Sequence, residues 1–126
     1  MAYDSRVSRL KNLGDNDFES SISSSPFVVV DFWNGGCMSC RTLLALVEQL
    51  SEMYPNVSFC KVNTEGARNV AQKYDVMSVP TLLFFREGKK VARMSGVKPL
   101  GILEEALKRY FLSEKIEGSS PYDESD

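Results

Sequence analysis

The 126-residue sequence has no histidine and only three cysteines. Without imidazole there is no Ser-His-Asp triad, no Cys-His nucleophile and no mixed Cys/His zinc site. A small, odd cysteine count argues against a secreted scaffold stapled by disulfides. It suits a cytoplasmic chain with one working pair and one bystander. Cationic clusters interleaved with aromatics are also missing, and the formal net charge is −2, so no nucleic-acid partner is expected. No apolar window approaches the ~20 residues of a membrane-spanning helix, so no membrane association is expected. Met1-Ala2-Tyr3-Asp4-Ser5-Arg6 contains no apolar core of the kind found in secretory signals, and none is expected.

What is present is enough for one domain: 43% of the residues are hydrophobic and 25% are charged. A short edge strand is expected over Arg6–Leu10. Gly14-Asp15-Asn16-Asp17 offers capping residues before a helix over about 16–23. Phe27 to Trp33 is an almost unbroken apolar run, as in a strand covered on both faces. Leu43, Leu44, Leu46, Val47, Leu50 and Met53 recur at helical spacing, giving a helix over about 37–53. Val57, Phe59 and Val62 mark a strand, and Ala67, Val70, Ala71 and Tyr74 a short amphipathic helix. Thr81–Phe85 and Lys90–Met94 form a hairpin about Arg86-Glu87-Gly88-Lys89. From Pro99, expected as a first-turn proline, Leu100, Leu103, Leu107, Tyr110 and Phe111 make a closing helix. The order β α β α β α β β α implies an α/β fold. A mixed sheet, with parallel pairing across the helical crossovers and an antiparallel hairpin at its edge, should be flanked by helices on both faces. Residues 1–112 make this domain. Residues 113–126, rich in Glu and Asp around Gly118-Ser119-Ser120-Pro121, are expected to be a disordered acidic tail.

Chemistry concentrates in Val28-Val29-Val30-Asp31-Phe32-Trp33-Asn34-Gly35-Gly36-Cys37-Met38-Ser39-Cys40-Arg41. Cys37 and Cys40 are spaced to close a disulfide across the first turn of a helix. A helix N-terminus offers free N–H groups and a dipole that favour a thiolate. Such a pair can be redox-active, half of a metal site, or chemically silent. A structural zinc needs four ligands, and here only Cys60 and carboxylates remain. Following a strand and opening a helix, the spacing is the redox arrangement. Cys37, at the loop's end, is then the exposed nucleophile, and Cys40, one turn in, the resolving thiol. Ser39 can offer its N–H and its hydroxyl to Cys37 sulfur, which would make the pair more oxidising. Asp31 lies amid apolar residues and should have a raised pKa unless it faces water at a strand end. Cys60, within a strand, is expected to be a buried hydrophobe. Arg41 either assists the thiolate or is merely solvated.

This stretch, with Val79-Pro80-Thr81, resembles the thioredoxin family over roughly residues 5 to 112. The resemblance implies the thioredoxin fold and a protein disulfide reductase working by dithiol–disulfide exchange, with no bound cofactor. Its partners would be disulfide-containing proteins and a thioredoxin reductase or equivalent electron donor, and the protein a monomer. By the same resemblance Asp31 is a buried proton acceptor for Cys40, and Lys61 is paired with it. Pro80 is cis and lies against the disulfide, although trans is the usual form of such a bond. Val79 presents its backbone to substrate, Trp33 packs beneath the site, and Gly96 with Val97 completes an apolar docking surface. The sequence departs from Trp-Cys-Gly-Pro-Cys, having Gly36-Cys37-Met38-Ser39-Cys40. Gly35-Gly36 should loosen the loop and remove an aromatic contact at Gly36, and Met38 replaces a glycine there. Ala45 stands where typical members have a kinking proline, so a straighter helix is expected. Two rival functions remain in view: a non-catalytic binding or chaperone-like module, and a metal-binding protein using Cys37 and Cys40.

Overall fold

The apolar run Phe27–Trp33 is the middle strand of a five-stranded sheet in the computed structural model, which describes residues 10–112. In chain order the elements are β1 (Lys11–Asn12), α1 (Phe18–Ser23), β2 (Phe27–Trp33), α2 (Met38–Met53) and β3 (Ser58–Asn63). There follow α3 (Arg68–Lys73), β4 (Thr81–Arg86), β5 (Lys89–Ser95) and α4 (Leu100–Leu107), which runs into a π-helical turn, Lys108–Leu112. The sheet order is β1-β3-β2-β4-β5.

Side chains alternate across β2 and divide the core in two. Val28, Val30 and Phe32 pack with Phe18 and Ile22 of α1 and Val70 of α3. Val29 packs on the other side with Leu43, Val47 and Leu50 of α2 and Leu103, Ala106 and Leu107 of α4. Asp31 and Trp33 share the parity of Val29, so they belong to the α2 face. Both faces of β2 are thus covered, which is why its sequence is apolar at nearly every position.

Two expectations about the sheet are corrected. The strand expected over 6–10 falls largely outside the described residues; Leu10 is not in a strand, and the edge strand is Lys11–Asn12, paired with Cys60 and Lys61. Strands separated by helices were expected to be parallel, as β2 and β3 are. β4 follows α3 yet runs antiparallel to β2. The six residues of α3 extend only about 9 Å. β3, also six residues, is about 20 Å long. The link therefore stays at one end of the sheet instead of crossing back along it. As a result the segments after β2, after β3, before β4 and after β5 all gather at one end: Trp33 is in register with Asn63, Phe32 with Thr81, and Thr81 with Ser95.

Pro99 is the N-cap of α4 rather than a first-turn residue. Asp17 accepts the Gly14 N–H at 2.8 Å instead of capping α1, while Asp15 Oδ1 accepts the Val70 N–H of α3 at 3.0 Å. The π-helical turn buries Tyr110 and Phe111, whose rings lie 5.9 Å from that of Phe84. The acidic tail over 113–126 lies outside the described residues.

Candidate active site

The loop Asn34–Cys37 joins β2 to α2. The chain must leave a buried strand and enter a helix within four residues, and short polar contacts fix how it does so. Asn34 Oδ1 accepts the Gly36 N–H at 3.1 Å, an Asx-type turn, and Glu65 Oε1 accepts the Gly35 N–H at 3.2 Å. The glycines were expected to loosen this loop; instead both of their N–H groups are tied. Their surroundings stay open: a side chain at either position would begin 3.9 Å from its nearest neighbour.

Cys37 is the N-cap of α2, with extended backbone dihedrals, and is bonded to Cys40 with the Cα atoms 5.3 Å apart. The Cys40 N–H, one of the helix's free first-turn donors, points to Cys37 Sγ at 3.1 Å. The N–H that reaches the sulfur is thus that of Cys40, not of Ser39. The Ser39 hydroxyl lies 3.4 Å from the same sulfur. Since a disulfide sulfur carries no proton, the hydroxyl is the donor. Cys37 is partly exposed, whereas Cys40 is 3% exposed. The two sulfurs are thereby differentiated: one reachable and surrounded by donors, the other enclosed.

Asp31 is fully buried, and no group among the described residues donates to either of its oxygens. Burial pushes its pKa from 3.8 to about 7, and the Lys61 charge pulls it back only in part. Lys61 is the register partner of Asp31 on β3. The indole N–H of Trp33 is likewise buried and unpaired among the described residues. Cys37, Cys40, Trp33 and Lys61 come together, with Asn34, Gly35, Arg41 and Leu44, around a cleft of about 340 Å³.

The remaining candidates form a second group at the same end of the sheet. The Val79–Pro80 peptide is cis, and Pro80 is buried. Pro80 O accepts the Gly96 N–H at 2.9 Å, and Thr81 Oγ1 donates to Ser78 O at 2.8 Å. Gly96 has φ +77°, a conformation that favours glycine. Val97 beside it is 38% exposed and Met38 is 81% exposed. Met77, in the loop before β4, is 94% exposed, and no periodicity in the sequence announces it. Asn34 and Glu65 were also missed. Asn34 carried a signal, a short polar side chain directly before Gly-Gly. Glu65 did not, since only the pairing of β2 with β3 brings it close. α2 runs unbroken past Ala45, and Cys60 is buried, its thiol pushed up by that burial. Among the described residues no group of three or more His, Cys, Asp or Glu is placed to hold a metal, and no helix is long and apolar enough to cross a membrane.

The thioredoxin family model matches residues 9–109. The chain belongs to the thioredoxin family. It is 39% identical over 87 residues to Thioredoxin-1 of Saccharomyces cerevisiae, covering 69% of this chain and 84% of that one. Thioredoxin of Chlamydia pneumoniae is 34% identical over 101 residues, 80% of this chain and 98% of its own. Among solved structures, Chlamydomonas reinhardtii thioredoxin f2 superposes with a TM-score of 0.76 at 25% identity, covering 83% of this chain and 99% of that one. Like its thioredoxin relatives, the protein is a thiol–disulfide oxidoreductase that reduces protein disulfides by dithiol–disulfide exchange. Thioredoxins as a family act on disulfide substrates and are reduced by thioredoxin reductase.

Proposed function

We propose that this thioredoxin-family domain serves as a cytoplasmic electron carrier in redox homeostasis. In this reading Cys37 attacks the substrate disulfide, and Cys40 resolves the mixed disulfide that forms on Cys37. The contrast between the two sulfurs carries the assignment. Cys37 Sγ is accessible and receives the Cys40 N–H and the Ser39 hydroxyl, so negative charge is favoured there; Cys40 is enclosed. In the resolving step Cys40 must lose a proton in a dry environment. Asp31, buried on the same face of the sheet with both oxygens unpaired, is the acceptor, and Lys61 stabilises its charged form. Val79 and cis-Pro80, with Met38, Gly96 and Val97, receive the substrate chain, and Trp33 supports the loop from below. The working unit is the domain over 1–112, acting as a monomer. Electrons come from a thioredoxin reductase or an equivalent donor adapted to Gly36-Cys37-Met38-Ser39-Cys40.

The reduction potential of the pair tests the direction of flow. The protein is equilibrated in graded dithiol and glutathione buffers, thiols are trapped, and the species are counted by mass. A potential near or below about −250 mV fits a carrier that reduces other proteins. A value near −200 mV or above contradicts it.

A further inference from the structure

The cleft beside the disulfide is not accounted for by docking of a protein substrate. Its lining is Trp33, Asn34, Gly35, Cys37, Cys40, Arg41, Leu44 and Lys61. None of Val79, Pro80, Gly96, Val97 or Met38 is among them. The sheet order explains the separation. The disulfide follows the central strand β2; the cleft includes Lys61 of β3 on one flank, while the docking loops precede β4 and follow β5 on the other. The disulfide can therefore be approached from two sides.

The cleft has a definite chemical character. Its volume of about 340 Å³ lies at the small end of the ~300–1,000 Å³ range of clefts that take small molecules. Its walls include one aliphatic and one indole side chain. Two cations, Arg41 and Lys61, line it, and no carboxylate does. Glu65 accepts the Gly35 N–H at the rim, and Asp31, the buried register partner of Lys61, is not among the lining residues. Gly35 and Gly36 carry no side chain into the loop beside Cys37, and a Cβ at either would begin 3.9 Å from its nearest neighbour.

We propose that this cleft binds a small thiol bearing carboxylate groups, with Arg41 and Lys61 holding the carboxylates and Cys37 receiving the sulfur. The thiolate RS⁻ attacks Cys37 Sγ, a bond forms between the two sulfurs, and the Cys37–Cys40 bond breaks to leave Cys40 as the thiolate. A second RS⁻ attacks the sulfur of the bound RS group, giving RSSR and releasing the Cys37 thiolate. Two thiols are oxidised and one protein disulfide is reduced, each released thiolate taking a proton given up by a thiol. This rests on the assignment of Cys37 and Cys40 as the working pair, and it identifies a second electron donor for that pair.

The test compares reduced glutathione with its diethyl ester, which keeps the thiol and masks both carboxylates. Each is mixed in excess with the oxidised full-length protein at low salt. Dithiol formation is followed by Trp33 fluorescence and by mass after thiol trapping, with rates compared per thiolate. Exposed charge pairs are modest, so glutathione is expected to be about two- to tenfold faster than the ester. That advantage should shrink as salt rises and reverse in Arg41→Glu. An ester as fast as glutathione, or an advantage that survives Arg41→Glu, overturns the proposal. Reduction by dithiothreitol but by neither monothiol also overturns it, while leaving the oxidoreductase reading intact. Failure of dithiothreitol as well would defeat both.

Discussion

Asp31 is the residue whose charge state matters most, because burial and function pull it in opposite directions. Its pKa in the fold is about 7, against an ordinary 3.8. The folded state therefore holds a proton that the unfolded state has lost between these values, and stability must fall as pH rises through that window. At about 1.4 kcal/mol per tenfold change in proton affinity, the full loss is about 4 kcal/mol. Asp31→Asn is expected to be more stable than wild type at pH 8 by about 2–4 kcal/mol in urea unfolding, with a flat profile between pH 4 and 8. The same variant should resolve mixed disulfides more slowly and lose the rise in rate that wild type shows through about pH 7, read by stopped-flow Trp33 fluorescence. If the variant is more stable but equally fast, Asp31 is a structural oddity and not the proton acceptor.

Ser39 gives a smaller effect. A hydroxyl hydrogen bond to Cys37 sulfur is worth about 0.5–1.5 kcal/mol. Since about 30 mV corresponds to 1.4 kcal/mol for this two-electron couple, Ser39→Ala should lower the reduction potential by about 10–30 mV. An unchanged or higher potential would show that the hydroxyl does not stabilise the thiolate.

At the scale of elements, α2 holds the cysteines in place through its buried face. Leu43, one turn beyond Cys40, is fully buried in the core between the sheet and α4. Leu43→Ala is expected to cost about 2–5 kcal/mol in urea unfolding, because the site is enclosed by the sheet and cannot collapse freely. Gly96 poses a different problem. A side chain there would meet nothing within 4 Å, so only its positive φ opposes substitution. Gly96→Ala should cost about 1–2 kcal/mol without loss of fold.

Most elements were legible. Phe27–Trp33 declared itself by continuous apolarity, and α2 by its leucine spacing. The edge strand Lys11–Asn12 went unread because two residues of pairing leave no pattern; only the register with Cys60 and Lys61 defines it. Asp15 does cap a helix, yet that helix is α3, with its partner 55 positions away, and the Asp17 side chain caps none, accepting the Gly14 N–H instead. Local chemistry suggests that a capping group is present but not which N–H it will meet.

For the molecule as a whole, the two cysteines and the aspartate could be picked out because each is chemically unusual where it stands, whereas Val79-Pro80 was marked only by the family resemblance. The antiparallel course of β4 could not, since it depends on where the link through α3 leaves the chain. That course brings the Val79–Pro80 and Gly96–Val97 loops to the end of the sheet that carries the disulfide. The cleft was equally invisible, because it joins Arg41 of α2 to Lys61 of β3 across the chain. The fold thus supplies what the motif lacks: a partly exposed sulfur on Cys37 beside an enclosed one on Cys40.

The central claim is that Cys37 attacks and Cys40 resolves, and a trapping measurement tests it most directly. Reduced Cys40→Ser and reduced Cys37→Ser are each mixed with a disulfide-containing protein such as insulin, acid-quenched, and weighed intact by mass spectrometry. The account predicts a substrate adduct on Cys37 in Cys40→Ser and no adduct in Cys37→Ser. An adduct on Cys40 in Cys37→Ser, with none forming on Cys37, would contradict it.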